Sequence, residues 1–394
     1  MWDENTSLTT TYVSSTVLRA QVPTSLLGRT GTTTIIPSPV GSFNFGTNFT
    51  ISSAPISGNN AFTFSKIAIQ ANDMVWDKAS SLLYLSAASS NGTNANTITS
   101  LNPQTGQFGS STSTGSEPGK LAGSSDGAYI YAGLNGKGIV RRFRLPAVQS
   151  DIDIPLGSGS FGPYDAFDIA VQPTASRSVA VSRGVLSTPE RAGVVIYDDT
   201  IARSQTVFGP NSRPDPIDSL LWNPNGQTLY GLNTETAPLL YIMSVNSAGV
   251  QIQTSLYNVA PLGNGLHFDS TAGYLYSDAG KILDPGTGAV IGSFPVNALQ
   301  GGFNGNPIMV TDGQLNIAYF LGQTINGSGA GNYVIEAFDL TRFNLIGTVS
   351  IPNVVGTPLK FVRWGSNGLA FLTGGSSGAG VYVVSGGFVT SPAP

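Results

Sequence analysis

Ser125-Asp126-Gly127-Ala128-Tyr129-Ile130-Tyr131-Ala132 reads as a tight turn running into a short strand. Asp-Gly suits the positive φ of a hairpin turn, and the tyrosines and isoleucine favour extended backbone. The same strand returns as Leu82-Leu83-Tyr84-Leu85, Ser178-Val179-Ala180-Val181, Thr228-Leu229-Tyr230-Gly231, Tyr274-Leu275-Tyr276-Ser277, Ile317-Ala318-Tyr319-Phe320 and Leu369-Ala370-Phe371-Leu372. Their third residues fall at 84, 131, 180, 230, 276, 319 and 371, with gaps of 47, 49, 50, 46, 43 and 52. Units of about 48 residues have the length of four-stranded propeller blades.

Each unit repeats the same punctuation around that strand. Turn-forming residues precede it, as in Asn223-Pro224-Asn225-Gly226, Asp312-Gly313 and Ser366-Asn367-Gly368, with another apolar strand before them. A third strand follows, for example Gly193-Val194-Val195-Ile196-Tyr197-Asp198. A second turn, such as Asp284-Pro285-Gly286-Thr287-Gly288, leads to a more polar fourth strand. No helical periodicity interrupts the pattern, so the expected fold is all-β: seven blades closed into a ring, which protects the sheet edges that a linear stack would expose. The last unit is short, and Phe62 to Gln70 is expected to supply its outer strand.

Gly115-Ser116-Glu117-Pro118-Gly119-Lys120-Leu121-Ala122 followed by Ser125 to Ala132, together with Leu283-Asp284-Pro285-Gly286-Thr287-Gly288, resembles the bacterial YVTN-type, WD-repeat-like seven-bladed β-propellers. The resemblance spans about residues 60 to 390. It implies a fold and leaves the role open, because such propellers host many functions.

Residues 1–55 have a different texture and residues 56–394 are assigned to the propeller. Thr9 to Pro23, Gly31 to Ile36 and Phe49 to Ile51 alternate as strands do. With Trp2-Asp3, this short N-terminal Ig-like β segment is similar to the C-terminal part of an IPT/TIG immunoglobulin-like domain. A full sandwich takes about 100 residues, so either Met1 is a true start and the segment a small β extension packed on the ring, or, as the favoured expectation, its opening strands lie upstream in a longer exported multidomain chain that also carries the signal. The start Met1-Trp2-Asp3-Glu4-Asn5 has no signal-peptide character, and no run approaches the roughly 18 apolar residues of a membrane helix. The expected location is extracellular, at a bacterial cell surface or in the periplasm.

Composition excludes much chemistry. The 394 residues contain no cysteine and one histidine, His267, which removes thiolate nucleophiles, disulfides and Cys/His metal sites. Eighteen basic against 22 acidic residues leave a net charge of −4, which disfavours nucleic acid. Arg141, Arg142 and Arg144 form the one basic cluster, and strand geometry splits it between two faces. The glycine-rich runs lack the Gly-Lys-Ser/Thr ending of a phosphate loop.

Reading back 9 to 12 residues from the repeated position places Asp73, Lys120, Asp168, Asp218, His267 and Lys360 near the starts of the innermost strands, at one mouth of the channel. One reading makes them a polar ligand-binding rim, with Asp73, Asp168 and Asp218 able to assemble a calcium site from different blades. The other has them pair with each other or cap free backbone groups, which is the commoner fate of such side chains. His267, beside a core aromatic, is expected to be a satisfied core group, and no Gly-x-Ser-x-Gly elbow accompanies it. Asp151 and Asp153 are expected on one solvent-facing face of an outer strand, and the loops Arg183 to Gly193 and Gly322 to Asn332 are the expected seats of partner specificity.

These features favour a non-enzymatic exported propeller that acts in binding or adhesion. Its expected partner is a protein or carbohydrate, with no nucleic acid, no direct membrane insertion and no cofactor other than calcium at the mouth. The alternative, implied by the resemblance, is a metal-assisted lactonase or lyase working at the same mouth. The poverty of acids and imidazoles there speaks against it.

Overall fold

In the computed structural model each repeat unit is one antiparallel sheet. The structure describes residues 7–14, 17–23, 31–35, 47–51, 62–186, 190–207, 217–234, 239–257, 261–296, 299–300, 305–326, 329–375 and 377–391. Blade one holds strands Ala71–Asp77, Leu82–Ala87, Thr97–Leu101 and Phe108–Ser113. Blade two holds Pro118–Gly123, Tyr129–Leu134, Ile139–Arg144 and Gln149–Pro155. Blade three begins Asp165–Val171, Ser178–Gly184 and Arg191–Asp198 and ends in the two-residue strand Ile201–Ala202. Blades four, five and six start at Ser219–Trp222, Leu266–Asp269 and Ile308–Asp312, and blade six gains an extra strand, Leu299–Gln300. Blade seven is Thr357–Trp364, Gly368–Gly374 and Gly380–Ser385, and its outer strand is Thr63–Ala68, from the beginning of the propeller.

The turns form for local reasons. Asp77 accepts from the amide of Ser80 at 2.7 Å, Asp269 from Thr271 at 2.9 Å and Asn225 from Gln227 at 2.8 Å, so a side chain closes each bend in place of backbone. Gly127 has φ +69°, and a Cβ there would lie 2.3 Å from that of Ala79 in the neighbouring turn, so both conformation and space require glycine.

Blades hold together through apolar seams. Tyr84, Tyr131, Ala180, Tyr230, Tyr276 and Tyr319 are fully buried, each in the cluster between its own blade and the next. Phe371 breaks the series. It stacks on Tyr382 at 4.8 Å and packs toward blade six, while Ala370 and Leu372 face blade one. The gap of 52 is thus one residue out of phase, and a one-residue step in a strand moves a side chain to the other face. The chain closes with one helical turn, Gly387–Thr390, whose Phe388 lies edge-on to Tyr319 at 5.9 Å.

Charge is absorbed into the sheets. Arg142 is buried and reaches Asp151 and Asp199 at 2.6 Å each, with its guanidinium 4.4 Å from the ring centre of Tyr129. Arg141 pairs with Asp153 and Arg144 with Asp151, both at 2.5 Å, so the cluster is neutralised within blades two and three. Asp151 is therefore buried rather than at solvent, because two guanidiniums replace its water.

Upstream, Thr9–Ser14 pairs with Val17–Gln21, and Gly31–Ile35 with Thr47–Ile51, as two separate two-stranded sheets. Trp2-Asp3 lies outside the described residues. No helix among the described residues is long and apolar enough to cross a membrane.

Two outcomes are expected of this architecture. A chain starting at Gln70 loses the partner of Gly380–Ser385, from the Thr63–Ser385 pair to the Ala68–Gly380 pair. It should melt several degrees lower than the full chain and self-associate on size-exclusion chromatography, because a sheet edge is uncovered. In blade six, burial pushes the Glu336 carboxyl from 4.5 up to about 7. The native state then binds the extra proton between those values, so this group's stability contribution is full below about 4.5 and is lost as pH rises through 7. Glu336→Gln should raise the Tm by a few degrees at pH 8 and leave it unchanged at pH 4, by calorimetry.

Candidate functional site: the channel mouth

The first strands of blades one, two, three and seven all carry an irregularity at the same place. Pairing shifts between Ala71 and Met74, Pro118 and Leu121, Ala166 and Asp168, and Pro358 and Lys360. Such bulges re-aim side chains. Here they surround Asp73, Lys120, Asp168 and Lys360, each two residues before the partner of the buried second-strand residue (Val75 opposite Tyr84, Ala122 opposite Tyr131, Ala170 opposite Ala180, Val362 opposite Ala370). The equivalent positions in blades four, five and six are Ser219, Gly265 and Ile308.

These starts surround a cavity of about 550 Å³ at the centre of the ring. Asp73, Lys120, Asp168, Asp218, His267 and Lys360 all line it, so the structure brings the six sequence-predicted residues together. Asp278, which the sequence reading did not single out, joins them. It lies just past the second strand of blade five, and its carboxylate occupies the room that Gly265 leaves: a Cβ on Gly265 would come within 2.9 Å of Asp278 Oδ2. The available signal was negative, a glycine where other blades carry a side chain.

Three of the carboxylates do the same work. Asp73 Oδ2 accepts the amide of Leu121 at 3.0 Å, Asp168 Oδ2 that of Leu220 at 2.7 Å, and Asp278 Oδ1 that of Met309 at 3.0 Å. Each acceptor belongs to an odd blade and each donor to the innermost strand of the next, one residue past the channel-facing position. A channel wall leaves those amides without an in-register partner, and a carboxylate satisfies each through a charge-assisted bond. Asp218 instead takes the amide of Thr234 at 2.8 Å and its hydroxyl at 3.1 Å, within its own blade.

The remaining contacts link side chains within blade five and between the adjacent blades seven and one. His267 Nε2 lies 2.8 Å from Asp278 Oδ1, and Lys360 Nζ lies 3.7 Å from Asp73 Oδ1. The Asp73 carboxylate raises the Lys360 ammonium above its usual value against the pull of burial, with Asp168 and Asp278 adding to it. Asp168 keeps some open surface because it faces the cavity, yet the walls enclose it, and burial raises its carboxyl while Lys120 and Lys360 act in the opposite sense. Lys120 is exposed and makes no hydrogen bond or ion pair among the described residues.

Sharing a cavity does not make Asp73, Asp168 and Asp218 a ligand set. Among the described residues no group of three or more carboxylates or imidazoles is placed to hold a metal ion. The carboxylates are instead turned to amides of the blade walls and, in Asp218, to its own hairpin. The two expected specificity loops also differ from open loops. Arg183 pairs with Gly193 and Gly184 with Arg191, leaving a short tip of which 187–189 lie outside the described residues. Ile317–Asn326 and Gly329–Asp339 form one long hairpin, paired to Asn326 and Gly329, with 327–328 outside the described residues.

Comparison by sequence finds no matching family profile and no matching curated protein. By structure, the β-propeller domain of Cps50 (Swd1) from Myceliophteria thermophila matches with a TM-score of 0.59 and 12% identity, over 82% of this chain and 99% of that one. Such likeness is one of fold, and together with the seven sheets it establishes a seven-bladed β-propeller.

Asp168→Leu should cost about 1–3 kcal/mol, the usual penalty for a buried amide left without its acceptor. Asp168→Asn retains an oxygen for the Leu220 amide and should cost clearly less. Urea unfolding of both variants checks this, and equal losses would mean that the inter-blade bond contributes nothing.

Proposed function

We propose that this chain is a non-enzymatic binding module, exported to a bacterial cell surface or the periplasm, that presents its channel mouth to a ligand. One observation carries the reading. Three of the mouth's four acids, Asp73, Asp168 and Asp278, are engaged in fixed hydrogen bonds to amides of the neighbouring blades, while Lys120 stands exposed above a preformed cavity of about 550 Å³. A rigid, charged and concave surface suits recognition, and its volume lies within the roughly 300–1,000 Å³ typical of ligand pockets. Propellers serve generally as interaction scaffolds, which accords with this use. The IPT/TIG-like stretch within residues 1–55 would make the propeller one module of a longer multidomain chain, and a protein or carbohydrate the partner it meets.

The test is to display the chain on beads and probe it with glycan arrays and bacterial envelope proteins, beside Lys120→Glu and Leu359→Asp. Leu359 is 40% exposed at the cavity rim, so neither change should move the Tm by more than about a degree. The expected result is a saturable partner whose retention falls at least tenfold in both variants. A partner held equally by the variants would move the site away from the mouth. Turnover of a lactone panel in the presence of calcium, abolished by Asp168→Asn, would replace binding with catalysis.

A further inference from the structure

The charges at the mouth are segregated by blade. Going round the ring, Lys360 on blade seven, Asp73 on blade one and Lys120 on blade two form an arc of two ammoniums around one carboxylate, which is itself paired to Lys360 at 3.7 Å. Asp168, Asp218 and Asp278 follow on blades three, four and five as an acidic arc, relieved only by His267. Between the arcs, blade six sets Ile308 at the channel-facing position, and Leu359 on blade seven is 40% exposed at the rim.

Enclosed walls of low dielectric strengthen fields from such fixed charges. A lone cation drawn to the acidic arc faces the two lysines across the mouth, and a lone anion at the lysines faces three aspartates. A molecule with both signs, separated by an apolar spacer, meets each arc with the opposite charge and lays its spacer beside Ile308 and Leu359. We infer that the channel mouth binds a small zwitterion of this kind, an ω-amino acid, with its carboxylate at Lys120 and Lys360 and its ammonium at the arc of Asp168, Asp218 and Asp278. This assignment rests on the reading of the mouth as a ligand site and names the chemistry of the ligand.

Isothermal titration of the full chain with 6-aminohexanoate, hexylamine and hexanoate tests it. The three probes share an apolar chain and differ in which charges they carry. The expected result is saturable binding of 6-aminohexanoate at least tenfold tighter than either single-charge analogue, weakening as salt is raised. Lys120→Met should weaken 6-aminohexanoate at least fivefold and leave hexylamine unchanged. Asp168→Asn, which keeps an acceptor for Leu220, should weaken 6-aminohexanoate and hexylamine alike while hexanoate binds no worse. Either single-charge analogue matching 6-aminohexanoate overturns the assignment, as does the absence of saturable heat with all three at 20 mM, roughly a hundredfold above weak pocket affinities. A macromolecular partner lost in Lys120→Glu, with no heat from the three probes, would sink the zwitterion assignment alone. If neither probe nor partner depends on the mouth, the binding reading falls with it.

Discussion

Seven separate sheets become one body only because each sheet can bury both of its faces. A tyrosine near the middle of the second strand fills the wedge toward the next blade in five of them, and Ala180 fills it in blade three. Everything nearer the axis follows from that packing. With the seams filled, the innermost strands converge, their ordinary pairing runs out at the channel wall, and the amides there need partners that no neighbouring strand supplies. Asp73, Asp168 and Asp278 are those partners, so the residues that make the mouth charged are also residues that hold it open.

The repeat was legible because burial imposes it. A fully buried aromatic at a fixed place in five of the units, with a small residue in the others, leaves a trace that turn residues on either side sharpen, and the number of blades could be counted from it. Parity was harder to see. Phe371 looked like the seventh member of the series, but the face a strand residue takes depends on an odd or even step, and only the register against Phe361 and Tyr382 shows that Ala370 is its counterpart. The long hairpin through Gln323 to Asn326 was concealed by its glycines, which read as loop although backbone pairing carries the sheet on to Asn326 and Gly329.

At the mouth, counting back from the repeated strand found residues that share the cavity, since a short turn joins the first two strands of every blade and a similar offset returns to the same end of the innermost strand. The method works by position and so missed Asp278, which reaches the same space from after the second strand. It also gave the three metal candidates no geometry. Side chains from separate blades can line one cavity and still point at the walls, and a carboxylate bound to a backbone amide has its direction set by that bond. Asp151 shows the same limit, where two arginines at spacing 142 and 144 make a buried site for an acid that an outer strand would leave wet.

The ladder that closes blade seven runs antiparallel, with Thr63 opposite Ser385 at one end and Ala68 opposite Gly380 at the other. The segments before Thr63 and after Ser385 both leave from the Thr63–Ser385 end of the ladder, where the two hydroxyls also meet at 3.0 Å. Tension applied between the flanking segments would therefore load one rung at a time and peel the strand away, whereas shear would load all the rungs together. The ring is built to resist heat and solvent at its seams, but mechanically it has a seam that unzips, and a pull along the chain would turn a closed disc into an open one before any blade itself unfolds.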